Sequence, residues 1–195
     1  MQSDEFKTIS ISGEGAYTEK RSKFLAFSHP ISSADEAMTI VASYRKKYYD
    51  ARHVCYAYVL GADRQIFRSN DDGEPNSTAG KPILGQINSN ELTNILIVVI
   101  RYYGGINLGT GGLVVAYRTA AAEAIKASTV IIEIDEDTIT HKFTYPMMNG
   151  VMRVIRDMNS RIISQHFDNT CEIVLAIRKS KTQELLQKLS DLDFE

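Results

Sequence analysis

The chain has 195 residues, 44% hydrophobic and 24% charged, with a formal net charge of −2. That is enough for a sizeable core in one or two domains, and its charge balance excludes a generally basic nucleic-acid binder while leaving room for a local basic face. Two cysteines, Cys55 and Cys171, exclude a disulfide framework, and the polar start Met1-Gln2-Ser3-Asp4-Glu5 and the lack of any long apolar run exclude a signal peptide and a membrane span, so a cytoplasmic setting is expected.

Residues 6–29 alternate in strand fashion around a turn at Gly13-Glu14-Gly15. Arg21-Ser22-Lys23-Phe24 puts two basic residues at the start of a strand that Pro30 ends. Ser33-Ala34-Asp35-Glu36 matches a capping box. The helix it predicts buries Met38, Val41, Ala42, the stem of Arg45 and Tyr48, and ends in the solvated cations Arg45-Lys46-Lys47. Residues 53–60 alternate again: His53, Cys55, Ala57 and Val59 face one way, Val54, Tyr56, Tyr58 and Leu60 the other. A Cys55–His53 nucleophilic pair would span about 7 Å along the strand, so the expectation is a buried cysteine beside a hydrogen-bonded histidine. A turn at Gly61-Ala62-Asp63-Arg64 then leads into a second strand, Gln65 to Ser69, which makes a hairpin.

Asn70 to Pro82 carries three carboxylates in four residues, Asp71, Asp72 and Glu74, beside Gly73 and Thr78. Such a loop holds a hard cation through oxygen or simply forms turns. It lacks the spacing of an EF-hand, so the structural role is expected and no metal or cofactor is assigned. Lys81-Pro82 at a helix start offers one contact to an anion.

The chain is organised around residues 94–126. Ile95 to Ile100 is a six-residue apolar run, expected as a strand buried on both faces. Leu113, Ala116, Tyr117, Ala120, Ala124 and Ala127 recur at helical spacing. Between the two, five of the twelve glycines occupy the nine residues from Gly104 to Gly112. The loop is neither a Walker A loop nor the dinucleotide fingerprint, because Val114 stands where the last glycine should be. A tight packing turn and an anion site at the helix N-terminus both stay open.

After an acidic stretch from Glu133 to Asp137 the rhythm changes, and domains are expected at 1–134 and 135–195. Ile139, His141, Phe143 and Tyr145 mark a strand with one buried face, His141 being read as a satisfied core residue. Val151, Val154, Ile155 and Met158 form a helical stripe. Arg161–Phe167 and Thr170–Arg178 form a hairpin closed at Asp168-Asn169, and Leu185, Leu186, Leu189 and Leu192 form a last helix. The order βαββα is that of a ferredoxin-like domain whose last strand, at Asp193-Phe194-Glu195, is missing or short. The N-terminal part reads as α+β, with three or four strands and two helices around a mainly antiparallel sheet.

Four blocks together resemble the Impact family and its bacterial, YigZ-like branch: Arg21-Ser22-Lys23-Phe24, Asp71-Asp72-Gly73-Glu74-Pro75, Thr78-Ala79-Gly80-Lys81-Pro82, and Val99 through Leu113. Two positions depart from the family pattern. Asn107 stands where these proteins usually carry lysine, and Asn76-Ser77 replaces the usual Ser-Gly. The resemblance implies an N-terminal fold like the second domain of ribosomal protein S5, shared with galactokinase-type kinases, and a C-terminal fold like domain V of elongation factor G. Eukaryotic Impact proteins restrain a translation kinase by competing for its activator; they carry a further N-terminal domain, which is not expected here, so that partner role is not carried over.

The leading expectation is therefore a non-enzymatic RNA- or ribosome-associated protein acting in translation or stress adaptation. Its expected anion- or nucleic-acid-binding residues are Arg21, Lys23, Lys81, Arg101, Tyr102 with Tyr103, Gly104, Gly105, Gly109, Thr110, Gly111 and Gly112. Cations position phosphates, and aromatic rings stack on unpaired bases. No catalytic residue is assigned. The alternatives are a phosphate- or nucleotide-binding enzyme that uses Leu108–Leu113 as its anion loop, and a module for a protein partner that uses the C-terminal sheet.

Overall fold

The computed structural model describes residues 4–168 and 170–192, so Asn169 of the expected hairpin turn and the segment Asp193-Phe194-Glu195 lie outside the described residues. The chain divides into two compact units: Phe6–Glu133, and a second that runs from Ile134 and takes in Asp4 and Glu5. Both are α+β.

The first unit holds β1 (Glu5–Ile11), β2 (Glu14–Glu19), β3 (Ser22–Pro30), α1 (Ala34–Lys47), β4 (His53–Leu60), β5 (Ile66–Asn70), α2 (Gly80–Ser89), β6 (Ile95–Tyr102), α3 (Gly109–Ala127) and β7 (Thr129–Ile134). β2, β3, β6, β4 and β5 form a five-stranded antiparallel sheet in that order, while β1 pairs with β7 in a separate ribbon. There are three helices rather than two. The third is α2, which begins where Lys81-Pro82 signals a helix start; the first turn of a helix tolerates proline because its N–H groups have no intrahelical partner there.

β6 is the middle strand and is buried from Ile95 to Arg101. Ile95, Ile97 and Val99 pack toward α2 and α3, and Leu96, Val98 and Ile100 toward α1, so the sheet separates two cores. α1 is capped as its sequence asks: Ser33 Oγ accepts the Glu36 N–H at 3.2 Å. The Glu36 carboxylate, however, accepts the Ser32 N–H at 2.7 Å rather than that of Ser33. The buried stripe of α1 is Ala37 and Val41 with Tyr44 and Tyr48 packed beside them; Ala42 and Arg45 are exposed. Ala127, at the end of the α3 stripe, is likewise exposed.

The turn placed around Gly13–Gly15 belongs elsewhere. β2 and β3 are joined at Lys20 and Arg21, with φ of 45° and 66°, the left-handed pair that suits a two-residue hairpin. Gly15 instead lies against α3, where an added Cβ would stand 2.5 Å from the Ala124 nitrogen. Small residues on both the strand and the helix let the two backbones meet.

The second unit contains β8 (Glu136–Phe143), α4 (Met148–Asp157), β9 (Arg161–Phe167), β10 (Cys171–Arg178) and α5 (Thr182–Asp191), the expected βαββα succession. Its antiparallel sheet has the order β8-β10-β9. Val151 and Ile155 of α4 and Leu185 and Leu189 of α5 cover Ile173, Leu175 and Ile177 of β10. Tyr145 is not on the buried face: it sits in a 3₁₀ turn after β8 and is 59% exposed.

Candidate functional site

Strand register builds the site. Arg101 at the end of β6 lies opposite Phe24 of β3 on one side and His53 of β4 on the other. Direct cross-strand partners point to the same face, so the three side chains form a row on the α3 side of the sheet. Arg101 Nη1 donates to Glu74 Oε1 at 2.6 Å, and the side chains are only 6% and 3% exposed. The guanidinium lies between the rings of Phe24 and Tyr103, 5.6 and 5.4 Å from their centroids. Its Nε is buried and has no hydrogen-bond partner among the described residues.

Below this pair the Tyr117 hydroxyl donates to the same Glu74 oxygen at 2.8 Å. The Cys55 thiol lies 3.3 Å from the Tyr117 oxygen and 3.0 Å from the Asp71 carbonyl. Burial, more than any neighbour, pushes the Cys55 thiol and the Tyr117 phenol far above their ordinary ranges. A thiol held protonated is no nucleophile. Cys55 is thus a buried network member, in keeping with its position inside β4.

The acidic loop is fastened by backbone bonds. Asp71 Oδ1 accepts the Ala79 and Gly80 N–H groups at 3.0 and 2.8 Å, and Oδ2 accepts that of Ser77 at 2.8 Å. It caps α2 from a distance, since Ala79 at the cap position has no side chain to do so. Asp72 Oδ2 accepts the Val54 N–H at 2.7 Å, while Oδ1 pairs with Arg45 at 2.6 Å. The Thr78 hydroxyl donates to the Pro75 carbonyl at 2.6 Å, and Gly73, at a φ of 84°, passes beside the His53 ring.

These contacts leave a cleft of about 460 Å³ lined by Arg52, His53, Glu74, Pro75, Arg101, Tyr103, Asn107, Leu108, Gly109, Thr110 and Leu113. One wall is the N-terminus of α3, where Leu108 supplies no capping side chain and Gly109, Thr110 and Gly111 are exposed. The free N–H groups and positive dipole end of a 19-residue helix therefore face the cleft. Arg52 adds an exposed cation. The Glu74 charge is matched by Arg101, which leaves the balance positive. His53 Nδ1 lies 2.7 Å from the Asp72 carbonyl, an acceptor only, so Nδ1 carries the proton. Nε2 then faces Glu74 Oε1, 3.8 Å away.

Glu74, Arg101, Gly109 and Thr110 thus meet in one cleft, with Gly111 and Gly112 in the same helical turn. Other expected site residues lie elsewhere. Tyr102 follows Arg101 by one position and so faces the α1 core, its hydroxyl donating to Asp50 at 3.0 Å. Lys23 is paired with Tyr102 in the register and shares that side. Arg21 forms the tip of the β2–β3 hairpin, where Gly104 packs on its backbone and donates to Ser22 Oγ at 3.2 Å. Gly105, with a φ of 83°, turns the loop. Lys81 lines a separate groove between α2 and α3 with Arg118. Arg52, the Nε2 side of His53, and Tyr117 were not singled out. Residue alternation put His53 and Cys55 on one face, but only the β4–β6 pairing brings that face to Arg101.

Among the described residues no helix is long and apolar enough to cross a membrane, and no three His, Cys, Asp or Glu side chains converge as a metal site would require.

The sequence model of the Impact N-terminal domain matches residues 20–125. The chain is 35% identical over 174 residues to the IMPACT family member YigZ of Escherichia coli, covering 88% of this chain and 85% of that one. It is 37% identical over 97 residues to Protein IMPACT of Rattus norvegicus, covering 47% of this chain and 30% of that one. A crystal structure described as that of an hypothetical protein superimposes with a TM-score of 0.72 at 32% identity, over 98% of this chain and 93% of that one.

Proposed function

Because the chain belongs to the Impact family as a YigZ-like member, we propose that it is a non-enzymatic, RNA- or ribosome-associated protein of the cytoplasm that acts in translation or stress regulation. The observation that carries this reading is the cleft, where the uncapped α3 N-terminus, Arg52 and the ring of Tyr103 stand together. Helix-end amides and arginine hold a phosphate, and an exposed ring stacks on an unpaired base. We further take the N-terminal part, residues 1–134, as akin to the second domain of ribosomal protein S5. Residues 135–195 we take as a ferredoxin-like domain akin to domain V of elongation factor G, and this fold analogy is what points to translation.

The test is co-sedimentation with ribosomes and RNA across a salt series, comparing the native chain with Arg52→Glu. Arg52 is the suitable probe because Arg101 is buried against Glu74, and Arg101→Glu would place two carboxylates together in the core. Salt-sensitive binding that Arg52→Glu weakens supports the reading. No binding at low salt sinks it.

One observation favours a second reading, a phosphate-handling enzyme: His53 lines the cleft with its Nδ1 held by the Asp72 carbonyl, which fixes the ring where a general acid or base would stand. Turnover of a phosphorylated metabolite that His53→Gln abolishes would decide for it.

A further inference from the structure

We propose that the cleft is a nucleotide seat that reads a terminal phosphate rather than an internal phosphodiester. This rests on the anion reading above and names the ligand. The α3 N-terminus presents the amides of Gly109, Thr110 and Gly111 without a capping side chain. A second feature stands beside it: Arg101, 5% exposed, also lines the cleft, and while Glu74 holds its Nη1, its Nε is buried without a partner among the described residues. A phosphomonoester offers three unesterified oxygens and up to two charges to such converging donors, where a diester offers two oxygens and one charge. The buried Arg101–Glu74 pair is part of the cleft lining.

Tyr103 supplies the other half. It is 43% exposed at the cleft wall, one face of its ring is backed by Arg101, and its hydroxyl is held by Asn107 Oδ1 at 3.1 Å. A ring fixed in this way is a platform for a base attached to the seated phosphate. A cleft of about 460 Å³ lies in the range of small-molecule sites. Free nucleoside monophosphates and 5′-phosphorylated RNA ends share this chemistry, and the test separates them.

The experiment titrates the full chain with AMP, adenosine and inorganic phosphate, and with one short oligoribonucleotide in 5′-phosphate and 5′-hydroxyl forms. AMP is expected to bind about tenfold or more tighter than either adenosine or phosphate, since one stacked base is worth ~1–3 kcal/mol. Tyr103→Leu keeps an apolar side chain on Arg101 but removes the π-face. It should erase the advantage of AMP over phosphate while leaving phosphate binding in place. A 5′-phosphate preference in the oligonucleotide assigns the site to RNA ends; AMP binding without oligonucleotide binding assigns it to free nucleotides and sinks the RNA reading. Equal binding of both oligonucleotide forms overturns the terminal-phosphate inference while leaving RNA association standing. Equal affinity for AMP and adenosine, or binding of neither, also overturns it.

Discussion

Glu74 decides what Arg101 is available for. Read from sequence, Arg101 is a cation beside a glycine loop and Glu74 one of three loop carboxylates; in the fold they neutralise each other out of water. Truncating Glu74 to alanine leaves a buried guanidinium whose Nη1 partner is gone, so Glu74→Ala should destabilise the N-terminal unit by about 3–5 kcal/mol in denaturant unfolding. A loss under 1 kcal/mol would mean that water takes the place of the carboxylate. His29 makes a second prediction on this scale. It is half-buried, with Nε2 2.8 Å from the Tyr44 hydroxyl, and desolvation lowers its pKa although Glu14 opposes the shift. The unfolded chain therefore takes up the proton first as the pH falls. The contribution is intact above about pH 6.5 and is lost as the pH drops through the lowered folded value. The fall in melting temperature between pH 7 and pH 5 should be shallower in His29→Asn than in the native chain; parallel slopes would refute the assignment.

At the scale of elements, parity was readable and pairing was not. The alternation in residues 53–60 and the apolar run in β6 gave the correct faces, because a buried strand has to show them. The same parity separates Arg101 from Tyr102, which the sequence reading had grouped by adjacency. The hairpin at Lys20-Arg21 was hidden because two residues without the usual Asn-Gly signal adopt positive φ. Helix α2 was legible at its start, Lys81-Pro82, but its body carries too little helical patterning to enter the count of two. Gly13 and Gly15 stand where the alternation suggests a turn, whereas they answer to α3, an element more than a hundred residues away in the chain. Gly15→Ala should therefore cost about 1–3 kcal/mol by forcing β2 and α3 apart, without disturbing any turn. An unchanged unfolding midpoint would mean that the two backbones separate freely.

On the scale of the whole molecule, the family was legible because four blocks, three of them containing glycine, carry the resemblance, and the fold gives each of them a place. One is the β2–β3 hairpin that Gly104 packs on, one the loop bonded to β4, one the start of α2, and one the strand and loop that end at α3. The position of most use is the one that departs from the pattern. Asn107 lines the cleft where the family resemblance expects lysine. Restoring that cation tests the phosphate-binding account by a gain, which misfolding cannot imitate. The decisive measurement is the affinity of Asn107→Lys for a short single-stranded RNA as a function of salt, beside the native chain. The account predicts tighter binding at low salt and a log–log salt slope steeper by about 0.7, the contribution of one more phosphate contact on a single strand. An affinity and slope indistinguishable from the native chain would contradict it, for the phosphate would then lie somewhere other than the cleft.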